Sequence, residues 1–132
     1  MSKPTKEDAT LFVQIVDTLI KNKDIWDAMN WFYFEFNVKD YEDFKEKYPM
    51  GSEGFAKFFY YGSGFELIGI LVNRGLLSED LFFDLWGDMG WKKYEPIVQG
   101  LRKELNMPRL SEQFEFMVKK YPEWEKRNPI KI

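Results

Sequence analysis

The sequence predicts an all-α protein, built as a compact single-domain bundle of about five or six helices. Apolar residues recur at three- and four-residue spacing in every long segment, and nothing reads as an alternating pair of strands. The length of 132 residues suits one domain, because a second core would leave neither half enough surface to bury. We therefore expect one helical domain over residues 1–132, with a core over about residues 5–121 and a tail over residues 122–132.

Helix start signals followed by apolar stripes predict the first two helices. Thr5, with Asp8 three residues later, is typical of a helix N-terminus, and this helix is expected to end near Asn22. A second helix is predicted from Asp24 to about Asn37. Because apolar residues lie nearly all round this second helix, we expect it to sit centrally among its neighbours.

A short third helix, from Asp40 to Tyr48, precedes the longest segment of the chain, from Ser52 to Arg74. Gly62-Ser63-Gly64 interrupts this long segment. The glycines either mark a turn between shorter elements or lie within one helix where another backbone passes close by. We favour one helix that ends at Gly75, because the apolar residues stay in phase across the interruption.

The remaining third of the chain is also predicted to be helical. Ser78 is expected to cap a short helix that ends at Gly87. A helix that starts near Trp91 contains Pro96, which must kink the helix or mark its true first turn. Pro108 suits the first turn of the last helix, which keeps one apolar face to about residue 121.

The central third of the sequence resembles a known family. The likeness lies in Phe58-Phe59, Phe65-Glu66-x-x-Gly69-x-Leu71-Val72-x-Arg74-Gly75-Leu76-Leu77, Trp91-x-x-Tyr94-x-Pro96-Ile97 and Pro108-Arg109-Leu110-x-x-x-Phe114. The family is one of small helical prokaryotic proteins known only as a domain of unknown function. The resemblance spans roughly residues 10 to 120. It implies a single all-α unit with a continuous helix through Gly62 and Gly64, and it implies no activity.

Composition excludes several classes of chemistry. The chain has no His and no Cys, so it has no disulfide, no Cys or His nucleophile, no imidazole base and no ordinary zinc site. A net charge of −3 gives no basic field to hold a phosphate backbone, and we expect no nucleic-acid partner. Neither a calcium loop nor a phosphate-cradling motif occurs, and no metal or other cofactor is expected.

The expected compartment is the cytoplasm. The opening residues contain no apolar stretch after a charged start, so they do not resemble a secretory signal. No uninterrupted apolar run approaches the roughly 18 residues of a membrane helix, and we expect no membrane span.

Glu66 is the strongest candidate for a functional side chain. It lies among apolar residues on a stripe that also contains small ones such as Gly69, so the stripe is expected to form a groove. A buried carboxylate needs a partner. Arg74 lies about 12 Å further along the same helix, so we expect Arg102 or Arg109 from a later helix to pair with it.

Two roles for Glu66 follow from this position. In the first, the carboxylate makes a structural ion pair or capping bond that fixes the register of the helices. In the second, it is a ligand-binding or catalytic carboxylate in a pocket. For a buried ion pair, Glu66→Gln is expected to cost about 2 to 4 kcal/mol of stability.

Three aromatic residues form a second candidate site. Trp86, Trp91 and Tyr94 flank the Gly87–Gly90 loop. They either form a binding surface for an apolar ligand or partner helix, or they close the end of the core.

The leading functional interpretation is a non-enzymatic interaction or regulatory module. No complete catalytic constellation occurs, and 13 Phe, 7 Tyr and 5 Trp leave aromatic surface for a protein partner or for self-association. The alternative is a small-ligand-binding or hydrolytic pocket centred on Glu66 and an arginine. The tail, with Trp124 and Ile130, either folds back on the domain or contacts a neighbouring molecule.

Overall fold

The computed structural model describes residues 3–131, and over that range it contains eight α-helices and no strand. The helices are α1 (Lys6–Lys21), α2 (Lys23–Phe34), α3 (Tyr41–Lys47), α4 (Glu53–Asn73), α5 (Glu79–Trp86), α6 (Trp91–Glu104), α7 (Glu112–Val118) and α8 (Tyr121–Arg127). The all-α prediction is confirmed. The number of helices exceeds the predicted five or six, partly because the C-terminal region forms two short helices.

Side-chain caps begin several helices at the predicted residues. Thr5 accepts a hydrogen bond from the backbone of Asp8, and Asp8 accepts one from the backbone of Thr5 in return. Asp40, Ser52 and Ser78 cap α3, α4 and α5 in the same way, each through a side-chain oxygen. Each cap satisfies a backbone N–H that has no partner within its helix.

The central element of the bundle is α4. It continues through Gly62 and Gly64 without a break, and Gly75 follows its end with a left-handed φ of +74°. The favoured interpretation of one long helix is therefore confirmed. The most extensive helix contacts in the protein are those of α4 with α7 and with α2.

The second helix is less central than its composition predicts. It ends at Phe34 instead of near Asn37. Phe32 is fully buried, whereas Trp26, Tyr33 and Phe34 are exposed. One side of α2 meets α4 and another meets α1, and Trp31 is buried against Phe36 and Tyr48. The remaining side of α2 faces outward, so its apolar residues stay exposed.

By length and composition, α4 is also the helix of residues 3–131 that is long and apolar enough to cross a membrane. The same test is passed by the core helix of a water-soluble bundle. Here 44% of the most apolar stretch of α4 is buried inside the protein.

The last predicted helix is divided into shorter elements. Pro108 lies in a turn, and α7 begins only at Glu112 because Ser111 has a left-handed φ of +56°. Within α6, Pro96 is exposed and lies past the first turn, so it does not mark the start of that helix.

Much of the C-terminal tail folds back on the domain as α8. Trp124 is buried, with its ring centroid 5.4 Å from that of Phe83 on α5. Its indole N–H donates to a carboxylate oxygen of Asp80 at 2.7 Å. Ile130, beyond α8, is exposed.

Candidate functional site

The backbones of α4 and α7 are in contact where the two helices cross. A Cβ atom on Gly69 would lie 2.6 Å from the carbonyl oxygen of Gln113 and 2.9 Å from the backbone nitrogen of Phe114. Real side chains do not tolerate such distances, so this crossing requires glycine. The close approach brings Glu66, one turn earlier on α4, to the first turn of α7.

At this crossing, Glu66 caps α7. Its Oε1 atom accepts the backbone N–H of Phe114 at 2.8 Å. Phe114 is the third residue of α7, so its N–H has no partner within the helix. Ser111, at the N-cap position, makes no capping bond with its own side chain. The carboxylate of Glu66, on another helix, therefore caps α7 in place of Ser111. This is the capping bond that the sequence predicts as one structural role for Glu66.

The expected ion pair of Glu66 with an arginine is wrong. Arg102 is directed elsewhere, since its Nε donates to the carbonyl oxygen of Leu110 at 2.8 Å and its Nη1 donates to Glu115 at 3.1 Å. Glu66 has no salt bridge to any basic group within residues 3–131. The positive end of a helix dipole and a backbone N–H supply the stabilisation that we expected from a guanidinium.

Neither of the other two candidate arginines reaches the groove. Arg109 is 81% exposed and pairs with Glu112, three residues along the chain, at 2.8 Å. Arg74 is an exposed residue at the C-cap of α4. Arg74 and Arg109 therefore do not share a site with Glu66 in this structure.

A buried pair of hydroxyl groups lies next to the capping bond. The hydroxyl oxygens of Tyr94 and Ser111 are 2.7 Å apart. Gly62 makes room for them, because a Cβ there would lie 2.0 Å from the Tyr94 hydroxyl. Burial raises the pKa of Tyr94 well above its ordinary value; the Ser111 bond opposes this shift and the charge of Glu66 adds to it. Tyr94 is therefore a neutral hydrogen-bonding group.

These residues border a groove of about 220 Å³ between α4 and the α6–α7 connection. Glu66 is only partly buried, and among the described residues no group donates a hydrogen bond to its Oε2 atom. The groove is lined by Phe59, Gly62, Ser63, Glu66, Leu67, Ile70, Tyr94, Leu110 and Ser111. The predicted groove on the small-residue stripe is thus present, and it contains no basic side chain.

The predicted aromatic cluster is divided between two parts of the core. Trp91 and Tyr94 are buried, and both rings contact Phe114 at centroid distances of 5.1 and 5.4 Å. Trp86 is half-buried and packs edge-on against Phe65 at 5.6 Å. Of the three, Tyr94 lines the groove beside Glu66. A binding role for the two tryptophans stays a prediction.

Some residues of this site carry no signal in the sequence. The amide nitrogen of Asn73 donates to both the backbone and the side-chain oxygen of Gln113, each at 2.9 Å. Asn73 lies two turns after Glu66 on α4, but nothing in the spacing of the sequence points to Gln113 or Ser111 as a neighbour. The apolar pattern predicts that Ser111 lies inside the last helix, whereas its backbone is left-handed, with a φ of +56°.

A separate apolar face lies between α1 and α5. Val13, Ile20 and Leu85 are 65%, 51% and 52% exposed. They border a groove of about 350 Å³ together with Phe12, Val16 and Asp17. Large apolar side chains grouped on a surface mark sites of interaction with other molecules.

The protein is thus a small all-α domain that carries two surface grooves. Within residues 3–131, no group of three or more acidic side chains converges. A family model described as Domain of unknown function (DUF4760) matches residues 4–121, and the chain belongs to this family. The resemblance to a domain of unknown function is thereby confirmed. No curated protein and no solved structure matches the chain.

Proposed function

We propose that the protein is a non-enzymatic interaction module that docks through the face formed by α1 and α5. We further propose that this face pairs with the same face of a second copy of the chain. The observation that carries the proposal is the grouping of Val13, Ile20 and Leu85 around one apolar groove, each more than half exposed.

Helix α1 has more apolar residues than its packing against the core buries. Its core-facing side includes Leu19, which is buried, and Ile15, which is partly buried. Val13, Val16 and Ile20 form a further stripe at three- and four-residue spacing beside it. Such a stripe suits the apolar face of another helix.

The charges of α1 favour a second copy in antiparallel orientation. In the first turn of α1, Glu7 and Asp8 outnumber Lys6. Lys21, which pairs with Asp17 at 2.9 Å, lies in the last turn, and Lys23 follows at the start of α2. When two α1 helices pair antiparallel, the acidic end of each meets the basic end of the other. A twofold contact of this kind uses one self-complementary surface, which is the commonest arrangement in soluble oligomers.

The groove beside Glu66 supports binding better than hydrolysis. Its carboxylate caps α7, no arginine lies beside it, and the raised pKa of Tyr94 makes that residue a poor general base. The interaction role is therefore the function that the geometry supports best.

Sedimentation velocity over a range of protein concentrations tests the proposal. We expect wild-type protein to shift from monomer to dimer with rising concentration, and Ile20→Glu to remain a monomer because it places a charge in the apolar contact. Phe34→Glu is the matched control, since Phe34 is 83% exposed and lies outside the proposed face. A wild-type protein that is monomeric throughout, or an Ile20→Glu variant that still dimerises, would contradict the proposal.

Charge reversal tests the antiparallel orientation. Glu7→Lys is expected to weaken the dimer, because like charges then meet at both ends of the contact. Adding Lys21→Glu and Lys23→Glu to the same chain restores opposite charges and should recover much of the lost affinity. Circular dichroism of each variant checks that the helices remain folded. Recovery in the triple variant supports antiparallel pairing, and its failure contradicts it.

A further inference from the structure

We infer that the groove beside Glu66 binds a primary ammonium group carried on a short apolar arm. Glu66 uses one oxygen to cap α7, and no described residue donates to the other. A carboxylate bound on one side only, at the edge of an apolar groove, is a strong acceptor for a charged donor. This inference is independent of the proposed dimer, which uses α1 and α5.

The charge around the groove selects a cation. No Lys or Arg belongs to its lining. Arg102, on α6, is held by Leu110 and Glu115, and the exposed Arg109 pairs with Glu112. Glu66 has no ion pair with a cation of the described chain. Arg102 lies close enough to act on Tyr94 in the groove wall, but it is paired with Glu115, and no positive side chain lines the space that an ammonium group would enter.

The walls of the groove select the arm that carries the ammonium group. Phe59, Leu67, Ile70 and Leu110 provide apolar surface next to the carboxylate. The volume of about 220 Å³ is below the range of roughly 300 to 1,000 Å³ that is typical of drug-sized ligands. A chain of a few methylene groups fits this space.

Hydroxyl groups complete the polar end of the groove. Ser63 and Ser111 both line it, and each hydroxyl oxygen has lone pairs to accept an N–H donor. An ammonium group has three donors, so it can serve Glu66 and a hydroxyl at once. Two sources share this chemistry: the lysine side chain of a partner protein and a free alkylamine.

Amide chemical-shift titration with two probes tests the inference. The probes are n-butylammonium, which represents a free alkylamine, and Nα-acetyl-lysine amide, which represents a lysine side chain. We expect saturable shifts at Ser63, Glu66 and Phe114 with at least one probe, and no saturable shifts with n-butanol, which keeps the apolar arm without the charge. The probe that binds more tightly identifies the source.

Two variants make the test specific. Glu66→Gln keeps an oxygen that caps α7 but removes the charge, and we expect it to weaken binding by about tenfold or more. Ser63→Leu keeps the charge and fills the groove from an exposed position, and it should also abolish binding. Glu112→Gln, at an acidic residue that pairs outside the groove, is the matched control and should bind as wild type.

The inference is overturned if neither probe gives saturable shifts, or if n-butanol binds as well as n-butylammonium. Unchanged affinity in a folded Glu66→Gln variant also overturns it. If that variant does not fold, Ser63→Leu decides the matter, because undiminished binding in a filled groove rules the site out.

Discussion

The two sides of α4 are packed by different means. Towards α2 the contact is aromatic: the rings of Phe32 and Tyr61 stack with centroids 4.0 Å apart and planes 16° apart. Towards α7 the contact depends on Gly69, which lets the backbones touch, and on Glu66, which caps the neighbouring helix. Ring packing is present on the α7 side too, where Phe65 lies 5.5 Å from Phe114 between centroids, but only that side adds a glycine contact and a polar capping bond.

The difference shows that burial and register are separate requirements. Burial of apolar area contributes stability without direction, and ring pairs prefer stacked or edge-to-face arrangements that more than one alignment of α2 and α4 can supply. A capping bond to a single N–H is satisfied at one alignment of α4 and α7 only. We expect the aromatic side to dominate the stability and the polar side to determine how α7 is placed.

The largest effect is expected on the aromatic side. Phe32→Ala removes a fully buried ring that contacts Tyr61 and Phe36, so we expect it to lower the free energy of unfolding by about 3 to 5 kcal/mol. Denaturant unfolding followed by circular dichroism measures this loss. Phe34→Ala, at an exposed ring two residues later, is the control and should change stability by about 0.5 kcal/mol or less. Equal losses in the two variants would contradict the assignment of α2's buried face.

An intermediate effect is expected where the helices touch. Gly69→Ala places a Cβ against the backbone of Gln113 and forces α4 and α7 apart, so we expect a loss of about 2 kcal/mol in denaturant unfolding. Gly64→Ala is a matched control on the same helix, because its Cβ would lie 3.5 Å from the nearest atom, in Ile25. That change should raise stability by up to about 1 kcal/mol through helix propensity. A stabilising Gly69→Ala would mean that the crossing is looser than described.

The smallest effect is expected at the capping bond. Glu66→Ala leaves the N–H of Phe114 without its acceptor and should cost about 1 to 2 kcal/mol. Glu66→Gln retains an acceptor oxygen and should cost less than about 1 kcal/mol. Thermal and denaturant unfolding of the two variants measure the difference. A loss of about 2 to 4 kcal/mol in Glu66→Gln would instead restore the buried ion pair expected from the sequence.

Local signals account for the parts of the fold that the sequence predicts well. Thr5 and Ser78 cap the helices that they are predicted to cap, and Asp40 and Ser52, the first residues of two predicted segments, cap α3 and α4, because capping involves neighbours only a few residues away. The unbroken apolar phase predicts the continuity of α4 for the same reason. Ser111 shows the limit of such signals, since its left-handed backbone delays the start of α7 to Glu112, whereas the apolar pattern predicts a helix from Pro108.

The candidate site was predictable only in part. Glu66 and its small-residue stripe are apparent from one helix, because residues three and four apart share a face. The partner of Glu66 is not apparent from one helix. Whether it is a guanidinium group or a helix N-terminus depends on which element lies across the groove. The predicted arginine pair fails for this reason, and Arg102 instead binds Glu115 and the carbonyl of Leu110.

The sequence by itself determined the all-α class, the capped helices and the continuity of α4, since hydrogen bonds and side-chain periodicity within a helix are local. Only the tertiary structure decided that α4 is central instead of α2, that Glu66 caps α7, and that Val13 and Ile20 lie exposed beside Leu85. These outcomes depend on contacts between residues far apart in the chain. Burial of an apolar side chain is favourable whichever neighbour covers it, so composition alone does not specify which helix packs against which.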